Sequence, residues 1–140
     1  MKSIIGAIIG ATLASIAGAE AYVTVMPRLQ AAYQRYEIDP ISASLYLGGI
    51  PALFLVVAFI LHYWGGRPSR AAGVAGLGFT FLCVASYYAA GLQFGAERFG
   101  YHSTVVFGLV LMYGWSIIVG DGRRRGRAGT AERTLEDATA

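Results

Sequence analysis

The fold class the sequence predicts is an all-α integral membrane protein: four transmembrane helices in an antiparallel bundle, with a short outer amphipathic helix after helix one. Three observations predict it. Four apolar runs each reach the ~20 residues that a spanning helix needs. Only 14% of the 140 residues are charged, against about 25% in a soluble domain. The basic residues that lack an acidic neighbour fall in alternate connections. The composition agrees, because 56% of the chain is hydrophobic and 19 residues are glycine. Such a chain has too little polar surface to coat a water-soluble globule, and glycine is commoner in membrane helices than in soluble ones.

Helix one is expected over about 3–26. Lys2 and the apolar stretch from Ile4 also suit a secretory signal peptide, with small-residue cleavage sites at Ala17-Gly18-Ala19 or Ala19-Glu20-Ala21. The apolar run continues to Met26, however, which gives full spanning length and favours a retained helix. At a period of 3.6, Gly6, Gly10, Ala14, Ala17, Gly18, Ala21 and Thr24 share one broad face, and Ile5, Ile8, Ile9, Ile16 and Val23 share the other. Small residues let helix backbones approach, so the first face is expected to pack and the second to meet lipid. Glu20 lies along the packing face.

The segment Pro27–Ile41 is longer than a turn. Pro27 suits the first turn of a new helix; Leu29, Tyr33 and Tyr36 share a face, and Asp39-Pro40 reads as a stop. A separate surface helix is expected there. Helix two, over about 42–64, contains Gly48-Gly49-Ile50-Pro51, and Pro51 predicts a kink that shapes packing. Helix three, over about 71–92, places Gly73, Gly76, Thr80, Cys83, Tyr87 and Gly91 on one stripe. Helix four, over about 101–120, does the same with His102, Val106, Leu109, Tyr113, Ser116 and Gly120. The chain therefore divides into a four-helix transmembrane domain, 1–120, and a tail, 121–140, that is basic, then acidic, and expected to be disordered.

Orientation follows from charge. Lys2, Arg67, Arg70 and the cluster Arg123, Arg124, Arg125 and Arg127 fall on one side of a four-span chain. The other two connections balance Arg28 and Arg35 against Glu37 and Asp39, and Arg98 against Glu97. The positive-inside rule then places both termini in the cytoplasm, as expected for a bacterial plasma (inner) membrane protein. Tyr22, Tyr46, Tyr87, Tyr88 and Tyr101 fall near the outer ends and Tyr63, Trp64 and Trp115 near the inner ends, where aromatic side chains anchor to the interface. The arginine tail is expected to meet anionic lipid headgroups, with no nucleic acid as partner.

Candidate chemistry is sparse. An ionisable residue inside a span is a functional candidate because burying it is costly, and Glu20 is the main one. His102, Glu97 and Arg98 complete a candidate proton, ion or ion-pair site near the outer end. His62 and His102 are expected at opposite ends of the bundle, so they cannot share a metal or haem. The single Cys83 excludes an internal disulfide and a cysteine-based cluster. There is no phosphate loop, dinucleotide fingerprint or catalytic constellation. No catalytic residue, metal or cofactor is expected.

A carboxylate in the first of four helices resembles the small multidrug resistance transporters, through Glu20 alone; the long Pro27–Ile41 segment departs from their short loops. The stretch Tyr88–Gly114, with Phe99-Gly100-Tyr101 opening helix four, is similar to the small membrane subunits of tripartite tricarboxylate transporters. Neither likeness carries residue roles across. The residues themselves point to a small non-enzymatic membrane protein, an accessory or assembly subunit that packs against other membrane proteins or itself. The alternative is a proton-coupled transporter, or a membrane subunit of a multi-component solute transporter, with Glu20 as the coupling carboxylate.

Overall fold

The computed structural model describes residues 1–35, 39–64, 66–67, 69–90 and 96–120, without the side chains of residues 96 and 97. The tail with Arg123, Arg124, Arg125 and Arg127 lies outside the described residues, as do Tyr36, Glu37 and Gly91. The described secondary structure is helical, and four helices are long and apolar enough to cross a membrane. They are α1 (Lys2–Gln34), α2 (Pro40–Tyr63), α3 (Arg70–Ala89) and α4 (Ala96–Val119).

Helix α1 differs from expectation in two ways. It does not end at Met26: Gly18–Gln34 is one helical section with Pro27 inside it, so no separate surface helix follows. Its 33 residues give about 50 Å at 1.5 Å per residue, well beyond a hydrocarbon core of about 30 Å. The second difference is a wide π-type turn, Leu13–Ala17, where the Gly18 N–H reaches back five residues to the Leu13 carbonyl. This turn keeps one face of α1 buried. An unbroken α-helix turns about 100° per residue, so Gly18 would stand roughly 120° around the axis from Gly6. The wide turn absorbs about one residue and brings it back to within roughly 20°. Gly6, Ala7, Gly10, Ala11, Ala14, Ser15, Gly18 and Ala19 are accordingly all buried, while Ala17 and Thr24 are exposed.

The expected stop at Asp39-Pro40 is instead the start of α2. Asp39 Oδ1 accepts from the N–H groups of Ile41 and Ser42, both at 2.9 Å, and Oδ2 accepts from the Ser42 hydroxyl at 2.8 Å. Pro40 fits the first helical turn, where its missing N–H costs nothing. The bonds from Ser42, its N–H first and then its hydroxyl, hold the Asp39 carboxyl below its ordinary value near 3.8. Helix α2 runs through Pro51. Gly66 follows it at φ 100°, a left-handed conformation that favours glycine. Ser69 caps α3, accepting from the Ala72 N–H at 3.2 Å.

Helix α1 packs against both α2 and α3, and α3 packs along α4. Glycine sets the closest approaches. A Cβ at Gly6 would meet the Leu61 carbonyl oxygen, and one at Gly10 would lie 3.0 Å from the Ala58 Cα. Without a hydrophobic driving force between helices in lipid, such close backbone contact is a main source of association. Gly73 and Gly76 are buried against Tyr113 and Ile117 of α4. The outside of the bundle is apolar. Leu53, Val56, Phe59 and Ile60 of α2, Phe81 and Leu82 of α3, and Phe107, Leu111 and Trp115 of α4 are all exposed. In α2 the buried residues are Pro51, Ala58 and His62.

Candidate functional site

The polar side chains collect at the two ends of the bundle. One end is built around His62. Its Nε2 lies 2.8 Å from the Ser116 hydroxyl, which itself donates to the Met112 carbonyl at 3.1 Å. Nε2 therefore carries the proton that Ser116 accepts. Ser3 donates to the His62 carbonyl at 3.2 Å, tying the start of α1 to the end of α2. At the same end, Tyr113 donates to the Ala7 carbonyl at 2.9 Å. His62 and Tyr113 are fully buried, with rings 4.9 Å apart edge to face.

The other end holds Glu20, Tyr87, Tyr88, Arg98, Tyr101 and His102. Glu20 accepts a hydrogen bond from the Tyr87 hydroxyl. The Arg98 guanidinium lies over the Tyr87 ring, 5.8 Å from its centre, within cation–π range. Glu20 remains exposed as a residue, whereas Tyr87 is buried. Its carboxylate therefore sits at the edge of the bundle, with one oxygen turned inward. Thr24 caps nothing here; its hydroxyl donates to the Glu20 carbonyl at 2.8 Å.

His102 reaches into α1. Its Nε2 is 2.9 Å from the Ser15 carbonyl, which can only accept, so Nε2 bears a proton. In the neutral ring Nδ1 then accepts from the Tyr88 hydroxyl at 2.8 Å. The preceding residue does the same one position back: Tyr101 donates to the Ala14 carbonyl at 2.8 Å. Ala14 and Ser15 both belong to the wide turn. Two adjacent side chains of α4 thus dock on two adjacent carbonyls of the turn. Tyr22 packs on Tyr101, ring centres 5.3 Å apart, and His102 packs edge to face on both Tyr87 and Tyr88.

Of the residues singled out in the sequence, Glu20, Arg98 and His102 come together, bridged by Tyr87. The side chain of Glu97 lies outside the described residues. His62 bonds Ser116, fourteen positions along α4 from His102, or about 21 Å of helix. Tyr87 and Tyr101 were expected as interfacial anchors; both are buried and hydrogen-bonded instead. The sequence reading missed the wide turn and the two donors that dock on it. A signal was present: pairs of small residues recur every fourth position, at Gly6-Ala7, Gly10-Ala11, Ala14-Ser15 and Gly18-Ala19. A straight packed face at that spacing requires a helix locally wider than 3.6 residues per turn.

Among the described residues no three His, Cys, Asp or Glu side chains gather to hold a metal ion. Cys83 is buried with Sγ 3.8 Å from the Thr12 hydroxyl oxygen. No family model, curated protein or solved structure matches this chain.

Proposed function

We propose that this chain is a small non-enzymatic integral membrane protein that serves as an accessory or assembly subunit. In this reading its four helices cross a bacterial plasma membrane in alternating directions, with both termini in the cytoplasm. The observation that carries it is the division of polar from apolar surface. His62, His102, Tyr101 and Tyr113 make their hydrogen bonds inside the chain, and large apolar side chains cover the outside. The polar groups then hold the bundle together, and the outer faces of α2, α3 and α4 are left for lipid and neighbouring membrane proteins. Orientation is supported by the helix ends beside Lys2, Arg67 and Arg70. Ser3 contacts His62, and Arg70 lies against Gly120, so these basic residues sit at one end.

A second reading, a proton-coupled transporter using Glu20, is favoured by one feature. The carboxylate is exposed on one side and hydrogen-bonded to buried Tyr87 on the other. Two substitutions separate the readings. Glu20→Gln keeps an acceptor for Tyr87, and Glu20→Ala removes it. For a subunit, Gln leaves abundance and assembly near normal while Ala lowers both. For a transporter, both abolish proton-coupled uptake into vesicles while the protein remains at normal abundance, and that result would overturn the first reading.

A further inference from the structure

The backbone ladder of α1 is interrupted twice. At Leu13–Ala17 it widens to a five-residue reach. At Pro27 the ladder lacks a donor altogether. Between the two interruptions lies Gly18–Met26, which carries Glu20. We propose that Gly18–Met26 is a rotatable section of α1, and that Tyr101 and His102 are positioning residues that fix which side chain it presents to Tyr87.

The extra residue in the wide turn cannot vanish. If the turn closes to an ordinary α-helix, the surplus must be taken up further along. Pro27 is the next place where a ladder bond is already missing. Everything between then turns by one residue position, about 100°. Ala19 takes the place of Glu20 beside Tyr87, and Glu20 swings out of it. Likewise Ala17 takes the place of Gly18.

Tyr101 opposes this move in two ways. Its hydroxyl donates to the Ala14 carbonyl, and the same hydroxyl occupies the space that a Cβ at position 18 would need. Ala17 cannot enter that place while the hydroxyl is there. His102 adds the bond to the Ser15 carbonyl. Nε2 carries a proton in both the neutral and the charged imidazole, so proton uptake by His102 leaves this latch closed. What opens it is movement of the Arg98 end of α4 away from α1. The device links the position of α4 to the side of α1 on which Glu20 is displayed.

The test uses the full chain in lipid nanodiscs with Cys83→Ala to remove the native thiol. Two cysteine pairs are compared with a short bifunctional thiol reagent: Glu20→Cys with Tyr87→Cys, and Ala19→Cys with Tyr87→Cys. With Tyr101 and His102 in place, the 20/87 pair links in preference to 19/87. With Tyr101→Phe and His102→Phe together, the preference reverses. Deleting Ala17 removes the surplus residue and restores the 20/87 preference even with both substitutions. Retention of the 20/87 preference in the doubly substituted chain with Ala17 present would overturn the proposal. If that chain fails to fold by circular dichroism and size exclusion, Tyr101→Phe alone decides, because it removes the hydroxyl that fills the Cβ space at position 18. A rise in 19/87 linking relative to 20/87 supports the proposal, and an unchanged 20/87 preference overturns it.

Discussion

His102 of the last helix donates from Nε2 to the carbonyl of Ser15 in the first, at 2.9 Å. The bond closes the bundle by joining α1 to α4. Tyr101 on Ala14 and Tyr113 on Ala7 make the same kind of bond from α4 to α1 carbonyls. A backbone carbonyl has a second lone pair, so each can accept such a bond without giving up helix.

The bonds of Tyr113 and Tyr101 are not equivalent. Ala7 lies in regular helix, while Ala14 lies in the wide turn. Interhelical hydrogen bonds in membrane bundles average about 0.6 kcal/mol. Tyr113→Phe should therefore cost about that much. Tyr101→Phe should cost more, about 1 kcal/mol or above, because its hydroxyl also supports the turn. Reversible unfolding in mixed micelles of increasing dodecyl sulfate measures both, and equal losses would show that the turn needs no support.

Glycine contacts give a sharper contrast. Gly6→Ala sets a methyl against the Leu61 carbonyl, a backbone group that cannot rotate away. Overpacking of this kind costs about 1–3 kcal/mol. A Cβ at Gly48 meets nothing within 4 Å, so Gly48→Ala should be neutral or stabilising through helix propensity. The same micelle titration distinguishes them.

Single-residue deletions test the wide turn as a surplus of one residue. Deleting exposed Ala17 leaves the faces on both sides in register, so the chain should fold and unfold at nearly the native midpoint. Deleting Ile9, also exposed, rotates Gly6 away from the face of Gly10 and should prevent assembly. Equal tolerance of the two deletions contradicts the geometry described for α1.

Asp39 offers a pH test outside the apolar spans. Its folded pKa is lowered by the Ser42 bonds, so its stabilising contribution is full above the unfolded value near 3.8 and is lost as pH falls through the lower folded value. The carboxyl carbon shift of Asp39, followed by NMR, should titrate below 3.8. In Asp39→Ala the amides of Ile41 and Ser42 should exchange faster wherever the native carboxyl is ionised, and the difference should shrink as pH falls through its pKa. A midpoint at or above the ordinary carboxylate value would remove the capping role.

Much of this arrangement was legible in the sequence where the helix is regular. The stripe Gly73, Gly76, Thr80, Cys83 and Tyr87 is buried throughout, and so are His102, Leu109, Tyr113 and Ser116 of α4. A period of 3.6 finds these faces because those helices keep that period. It failed on α1, placing Ala17 and Thr24 in the packed face, because one surplus residue resets the phase. The proline signals misled for a related reason. Pro27 is as compatible with the interior of a helix that tolerates one missing bond as with a first turn. Asp39-Pro40 serves equally as a stop or, as here, a cap and first residue. The Glu20–Tyr87 pair depended on the relative rotation of two helices, which neither helix encodes alone.

The proposed subunit role is tested most directly by native mass spectrometry of the protein released gently from its own membranes. The predicted result is the 14.9 kDa chain in a fixed ratio with at least one other membrane polypeptide, stable to exchange of detergent. A chain released alone and monomeric, in every mild detergent tried, would contradict the account.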